Sequence, residues 1–383
     1  MTISHVTNLD SHRLRSVFAD GDLAPQDPTR ARSLPAALYR GDTLAELERT
    51  SIFARHWQYL GHTSQMPGED DVLTSSAGGI DIVLTRSASG LRGYHAICRH
   101  RAGPVERCSG GGRTFLRCRY HGWAYGLDGR LLSAPEMRGA AGFDASQIML
   151  PEIEVAEFEG LLFGRLQQGP APLADHLEGI GARLAQAGHR LSQMRFHERV
   201  EYVVDCNWKV YVDNFLEGYH VPQVHPTLNA ILDYRSYATT LGRWHSLQSS
   251  PLESAPDQYG SGEALYYFIH PNTMLNILPG RLQTNRILPL PGNRCRVQFD
   301  FLYAGAPLVN DRAFSDVVQQ EDIRICNEVQ RNLDSGSYVA GPLNPLRETG
   351  VHHFQELLRA DYREAIRGLE APAPGVPHQP GYR

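Results

Sequence analysis

The chain has 383 residues and a formal charge of −5, from 37 Lys and Arg against 42 Asp and Glu; at about 100–200 residues per domain this length predicts two domains. No single-sign block supplies the basic stripe of a duplex-binding protein, and although 42% of the residues are apolar, no run of about 18 uncharged apolar residues offers a membrane span. The opening MTISHVTNLDSHRLRSVF lacks the apolar stretch of a secretory signal, so the cytoplasm is the expected compartment, where six cysteines point to metal or chemistry rather than to a disulfide scaffold.

Residues 1 to about 33 are polar, with Pro25, Asp27 and Pro28 near their end, and are expected to form a loosely held arm. In TLAELERTSIFARHW the spacing of Leu44, Leu47, Ile52, Phe53 and Trp57 predicts a helix between Thr43 and Trp57. From 58 to about 155, short β-rich runs broken by Ser-Gly and Arg-Gly turns predict a small β domain. Within it stand Cys98-Arg99-His100 and, after 17 intervening residues, Cys118-Arg119-Tyr120-His121. Two thiolates and two imidazoles on two loop tips suit either zinc or a two-iron, two-sulfur cluster. The single residue between Cys98 and His100 is awkward for chelating one tetrahedral ion and suits ligands that reach different irons. Gly110, Gly111, Gly112, Gly122 and Gly126 are expected to supply tight turns that bring backbone N–H groups to cluster sulfurs.

Helical spacing returns around 170–195 and again over 207–220. In CNWKVYVDNFLEGYHVPQVHP, Asp213, Glu217 and His220 fall at i, i+4 and i+7, on one face of a predicted helix that Val221-Pro222 stops or bends, bringing His225 round. Two imidazoles and a carboxylate on one side of an iron leave positions open for oxygen and substrate. The runs between 263 and 304 predict an antiparallel sheet, and 313–333 and 351–366 read as helices, followed by a Pro-rich frayed end. In SDVVQQEDIRICNEVQRNL the apolar stripe Val318, Ile325, Val329 and Leu333 carries Asp322, with Glu321 toward its edge. A carboxylate on a buried face needs a cation or hydrogen bonds, so Asp322 is the preferred third ligand and Glu321 the alternative. Strands and helices are segregated rather than alternating, which predicts an α+β fold.

CRHRA followed by CRYHGWAYGLDG resembles the cluster-binding signature of Rieske oxygenases, and DNFLEGYHVPQVH with the later QEDIRIC resembles the catalytic half of their α subunit. The resemblance covers about residues 35–365. It implies a Rieske domain at 45–155, preceded by an arm and the start of a catalytic-domain helix at 1–44 and followed by a helix-grip, START-like catalytic domain at 156–383. It implies a 2Fe-2S cluster on Cys98, His100, Cys118 and His121, mononuclear Fe(II) on His220, His225 and Asp322, and a homotrimeric ring. In that ring the cluster of one subunit feeds the iron of its neighbour through an acid before the first His. Glu217 matches that acid, where Asp is more usual, and its simpler role is to orient His220. Cys108 has no cysteine in the second loop to pair with, so the loop-bridging disulfide of some Rieske proteins is absent and the thiol is a packed or bystander group.

Electrons for dioxygen must originate from NADH or NADPH, yet no strand–GxGxxG–helix unit occurs; a partner reductase, alone or with a ferredoxin, is required. The segment FIHPNTMLNILPGRLQTNRILPLPGNRCRVQFDF and the flanking late motifs resemble choline monooxygenase and related enzymes acting on quaternary ammonium compounds. Such a cation wants aromatic faces, and Tyr211, Phe215, Tyr267 and Phe268, with Tyr219, Tyr234 and Tyr237, are the expected lining. An aromatic ring or aromatic acid is the competing substrate, with Arg281 or Arg286 pairing a carboxylate. From other classes, a Rieske electron carrier without oxygenase activity and a zinc-stabilised ligand-binding protein are the rivals.

Overall fold

The computed structural model describes residues 17–19, 21–230, 232–252 and 262–370; the Pro-rich end and the first part of the predicted arm lie outside them. The predicted first helix forms as α1 (Ala45–Glu48) continued by a wider turn over Arg49–Phe53, burying Leu47, Ile52 and Phe53. Nine strands follow: β1 (Gln58–His62), β2 (Val72–Ala77), β3 (Ile80–Ser87), β4 (Gly90–His95), β5 (Leu116–Arg117), β6 (Ala124–Tyr125), β7 (Leu131–Ser133), β8 (Glu152–Phe158) and β9 (Leu161–Arg165). They make a six-stranded sheet in the order β1-β9-β8-β4-β3-β2 and a three-stranded sheet β5-β6-β7. The expected break at 155/156 falls inside β8. Because β8 and β9 pair as a hairpin and β9 pairs with β1, this sheet continues to Arg165.

The short helices α2 (Leu173–His176) and α3 (Ile180–Gln186) lead to β10 (Arg195–Val204), then to α4 (Trp208–Phe215), α5 (Val221–Val224) and α6 (Pro226–Asn229). Strands β11 (Ala238–Leu241), β12 (His245–Pro251), β13 (Glu263–Ile269), β14 (Thr273–Leu278), β15 (Arg281–Leu290) and β16 (Arg294–Tyr303) complete a seven-stranded antiparallel sheet, ordered β10-β16-β15-β14-β13-β12-β11. Two long helices close the described chain, α7 (Asp311–Asp334) and α8 (Thr349–Glu370). The fold is α+β, as the segregation of elements predicts.

Apolar side chains of both sheets meet in one seam: Trp57, Tyr59, Leu161 and Phe163 pack with Leu247, Leu265, Tyr267 and Leu275. Arg286 stitches it, its Nη1 donating to Tyr59 O and Ser76 O at 2.8 Å each, while Nη2 donates to Gln298 Oε1 at 2.6 Å. The arm is not loose where it is described. Leu34 is fully buried, His352 Nε2 lies 3.1 Å from Gln26 O, and Arg359 donates to Asp22 O at 3.2 Å and to Arg32 O at 3.2 Å. Side chains of α8 satisfy backbone carbonyls of the arm, which polarity along the sequence does not reveal.

Candidate active site

Between the two loop tips of the first domain, the thiols of Cys98 and Cys118 are buried while His121 is exposed. Cys98 Sγ lies 3.1 Å from Tyr125 OH, and Tyr120 N–H points at Cys118 Sγ at 3.5 Å. Burial, opposed by the Tyr125 hydroxyl, pushes the Cys98 thiol up, so the free thiol is a poor nucleophile; a metal ion would take each sulfur as its thiolate, displacing the proton. The His100 and His121 rings are 4.7 Å apart, and His100 stacks on Trp123 at 4.8 Å and 6°. His100 Nδ1 is buried without a hydrogen-bond partner, as a nitrogen reserved for a metal would be. Two inner sulfurs and two outer nitrogens fit a cluster whose two irons have different ligands. The close approach is made by Gly103 rather than by Gly110–Gly112: a Cβ at Gly103 would lie 2.8 Å from Cys118 Sγ, whereas one at Gly111 would strike Asp71. Cys108 is exposed, not packed, with Arg119 Nη2 at 3.7 Å.

In the second domain α4 ends at Phe215, so Glu217 and His220 do not continue its face. They sit in the following turn, and Val221-Pro222 opens α5 instead of closing a helix, because the fixed φ and missing N–H of proline suit a first turn. Asp213 consequently points elsewhere: Tyr39 OH donates to it at 2.5 Å, and burial pushes its carboxyl up to about 7. The turn folds Glu217 back on itself. Its Oε2 accepts from the N–H groups of Tyr219 and His220, and its Oε1 lies 2.6 Å from His220 Nδ1.

The other wall is α7. Its buried residues run Asp311, Ser315, Gln319, Cys326, Gln330 and Leu333, a stripe on which Asp322 falls in register at i+3 from Gln319. The stripe is polar at its first half, and Val329 of the predicted apolar stripe is 40% exposed. Asp322 Oδ1 lies 3.0 Å from His225 Nε2 and 3.9 Å from His220 Nε2, and it accepts from Asn214 Nδ2 at 2.7 Å. Glu321 takes the opposite nitrogen of the same imidazole, with His225 Nδ1 at 2.8 Å from its Oε2. Burial pulls the His225 pKa down, but the paired carboxylates of Asp322 and Glu321 more than offset it and raise the net value. The ligand atoms of His220, His225 and Asp322 all lie within 4.8 Å of one another, a two-imidazole, one-carboxylate set that could hold iron with open positions.

A cavity reaches this set, lined among others by Tyr211, Phe215, Tyr237, Tyr266, Phe299 and Phe314. Tyr211 and Phe215 are thus where the sequence reading puts them. Tyr267 and Phe268 are not. Strand alternation turns Tyr267 to the opposite face, into the seam, and Phe268 packs on Phe354 of α8 with ring centroids 5.3 Å apart. Tyr234 lies beneath the Arg347 guanidinium, and Tyr219 is half exposed; neither lines the cavity. Arg281 does line it, whereas Arg286 is committed to the seam. Sequence reasoning misses Tyr266, Phe299 and the amides Asn276 and Gln283, for which strand phase was the available signal, and Gln319, for which the helical period of α7 was. A second buried group, His56, His270 and Asp361, is a hydrogen-bonded clamp in which ring nitrogens occupy both carboxylate oxygens at 3.0 and 2.8 Å.

Residues 56–154 match the Rieske [2Fe-2S] domain family and residues 191–364 the Ring hydroxylating alpha subunit (catalytic domain) family. The chain is 34% identical to a chloroplastic choline monooxygenase of Arabidopsis thaliana over 94% of this chain and 91% of that one. It is 26% identical to the carnitine monooxygenase oxygenase subunit of Escherichia coli (strain K12), over 88% and 96%. Among solved structures, it resembles the quaternary ammonium Rieske monooxygenase CntA in complex with substrate L-carnitine, with a TM-score of 0.78, 26% identity and coverage of 88% of this chain and 97% of that one.

Proposed function

Because this chain belongs to the Rieske ring-hydroxylating oxygenase α subunits, which carry a 2Fe-2S cluster and a mononuclear iron, we propose that its substrate is a quaternary ammonium compound oxidised at a carbon beside nitrogen. The observation that carries this reading is the cavity itself: six aromatic rings line it on the way to His220, His225 and Asp322, and aromatic faces attract a cation that has no proton to donate. When bound, the cluster relays single electrons and the mononuclear iron activates O₂. Cys98 and Cys118 would hold one iron of the cluster, His100 and His121 the other, and His220, His225 and Asp322 the mononuclear ion.

The chain's own carboxylates prepare those ligands. Glu217 accepts the Nδ1 proton of His220 and Glu321 that of His225, which leaves each Nε2 with its lone pair toward the ion and fixes both rings. Asn214 fixes Asp322, and the lining rings keep bulk water from the reacting carbon. One O₂, two electrons and two protons then convert a C–H beside nitrogen to C–OH and release one water. A hydroxylated N-methyl group collapses to the tertiary amine, formaldehyde and a proton; hydroxylation of the first carbon of a longer N-substituent collapses in the same way to the tertiary amine, the corresponding aldehyde and a proton.

The electrons come from an NAD(P)H-dependent reductase, directly or through a ferredoxin. We further read the working unit as a trimer in which Glu217 bridges His220 to His100 or His121 of the neighbouring subunit, and its residence as the cytoplasm. Among the described residues no helix is long and apolar enough to cross a membrane.

The test is substrate-dependent oxygen uptake by the anaerobically reconstituted protein with its reductase, across quaternary ammonium compounds and aromatic acids. Uptake with the former and formation of the matching aldehyde or formaldehyde is expected; uptake with aromatic acids alone refutes the reading. His220→Ala should abolish uptake and lose the mononuclear iron while keeping the red-brown cluster.

A further inference from the structure

Neutral rings leave the clamp of His56, His270 and Asp361 one proton short. His56 precedes β1, His270 follows β13 and Asp361 stands on α8, and all three side chains are buried. A fourth buried ring, His176 at the end of α2, lies behind them, with its Nε2 3.3 Å from His56 Nδ1 and its Nδ1 3.3 Å from Pro172 O. A carbonyl oxygen only accepts, so His176 Nδ1 carries its proton. His176 Nε2 then accepts from His56 Nδ1–H, and His56 Nε2 is left without a proton while it faces Asp361 Oδ1 at 3.0 Å. Three contacts in a row need three protons, and two neutral imidazoles bring two. Facing lone pairs at that distance are costly in a dry interior, so a cation belongs between them, either a third proton or a metal ion.

Convergence decides between the two. A proton joins one pair of atoms, whereas here a third donor reaches the same carboxylate: His270 Nε2 lies 2.8 Å from Asp361 Oδ2. One ligand atom from each of His56, His270 and Asp361 lies within 4.8 Å of the others, and the two rings stand at 90° with centroids 4.6 Å apart. His270 Nδ1 is buried without a hydrogen-bond partner, so its tautomer follows whatever Nε2 binds. The run from His56 Nδ1–H through His176 to Pro172 O is the kind of outer shell that holds a ligating imidazole in one tautomer. Trp244 stacks on His176 with centroids 5.0 Å apart and flanks His56 at 5.2 Å.

We infer that His56 Nε2, His270 Nε2 and Asp361 hold a further metal ion, apart from the iron sites, and that this ion is zinc. Two imidazoles and a carboxylate suit iron or zinc; the difference is access. None of His56, His176, His270 and Asp361 lines the cavity that reaches His220. A closed site has no use for the open positions of an oxygen-activating metal and suits zinc, with the two oxygens of Asp361 completing four nitrogen and oxygen donors. The ion ties the segment that leads into β1 to the catalytic sheet and to α8.

Metal and sulfide analysis of the full chain, produced with both iron and zinc supplied, tests this. The parent should carry about one zinc per chain beside its irons. His220→Ala, which disables the mononuclear iron site, should keep that zinc, which separates it from zinc strayed into the iron site. Asp361→Asn keeps the size of the side chain but not its charge. It should lose zinc at least about tenfold, since losing a ligand costs no less than losing an outer-shell partner, with iron and acid-labile sulfide unchanged. X-ray absorption at the zinc edge should show nitrogen and oxygen neighbours at about 2.0–2.2 Å and no sulfur at about 2.3 Å. The parent and His220→Ala measurements stand even if Asp361→Asn does not fold. Only trace zinc in the parent, zinc lost with His220→Ala, sulfur around the zinc, or zinc kept by Asp361→Asn each overturns the inference and leaves a proton as the cation of the clamp.

Discussion

Glu217 accepts hydrogen bonds from two backbone N–H groups and faces His220 Nδ1, so it is over-determined as an orienting group; its proposed second duty, toward a neighbouring cluster, needs a carboxylate that carries charge. Glu217→Gln preserves the size and most hydrogen bonds of the side chain but not that charge. Both metals should therefore stay bound while single-turnover reoxidation of the cluster slows severalfold or more. Unchanged single-turnover kinetics would leave Glu217 with the orienting role alone. The residue scale also explains why two adjacent acids, Glu321 and Asp322, competed as ligands in the sequence. They take the two nitrogens of one imidazole, His225, one from each side, a division that spacing along a helix does not reveal.

At the scale of elements, the site depends on a helix that stops. With α4 ending at Phe215, the turn through Gly218 can pass close to Tyr237, whose ring would lie 2.8 Å from a Cβ at that position. The wall opposite is α7, whose buried stripe is polar where Ser315, Gln319 and Asp322 line the cavity. The two domains meet through the seam, and Arg286 is its single buried cation bonded to both sides among the described residues. Arg286→Met would leave the carbonyls of Tyr59 and Ser76 without a donor in a dry environment, costing on the order of 3 kcal/mol. Differential scanning calorimetry should show a transition lowered by several degrees, or split into two, with the visible spectrum of the cluster retained at low temperature. An unchanged single transition would show that apolar packing alone holds the seam.

For the whole molecule, acid should be more damaging than the net charge suggests. Burial, followed by the neighbouring His56, holds His176 down at about 3, and burial likewise lowers His270 and His245. These rings are neutral in the folded protein and take up protons once unfolded. Between the ordinary histidine value near 6.5 and the depressed folded values, the unfolded chain therefore binds more protons, and stability rises with pH. Stability from this source is complete above about pH 6.5 and is lost as the pH falls, at up to about 1.4 kcal/mol per pH unit for each such ring. Melting temperatures should fall between pH 7 and 5, and more shallowly in His176→Phe than in the parent. Parallel profiles would count against His176 as a source.

Local chemistry was legible before any tertiary contact was known. Cys98-x-His100, Cys118-x-x-His121 and the two histidines five apart declare metal ligation because short spacings bring such donors together in almost any loop. The β-rich and helical segments declare an α+β chain for the same reason of local period. What only the tertiary structure decided is which donors and rings converge from distant segments. Strand phase sent Tyr266 into the cavity and Tyr267 into the seam, the ending of α4 removed Asp213 from the site, and the arm found its partners on α8. Side-chain direction follows from where an element ends and what it packs against, and those are properties of the assembled fold.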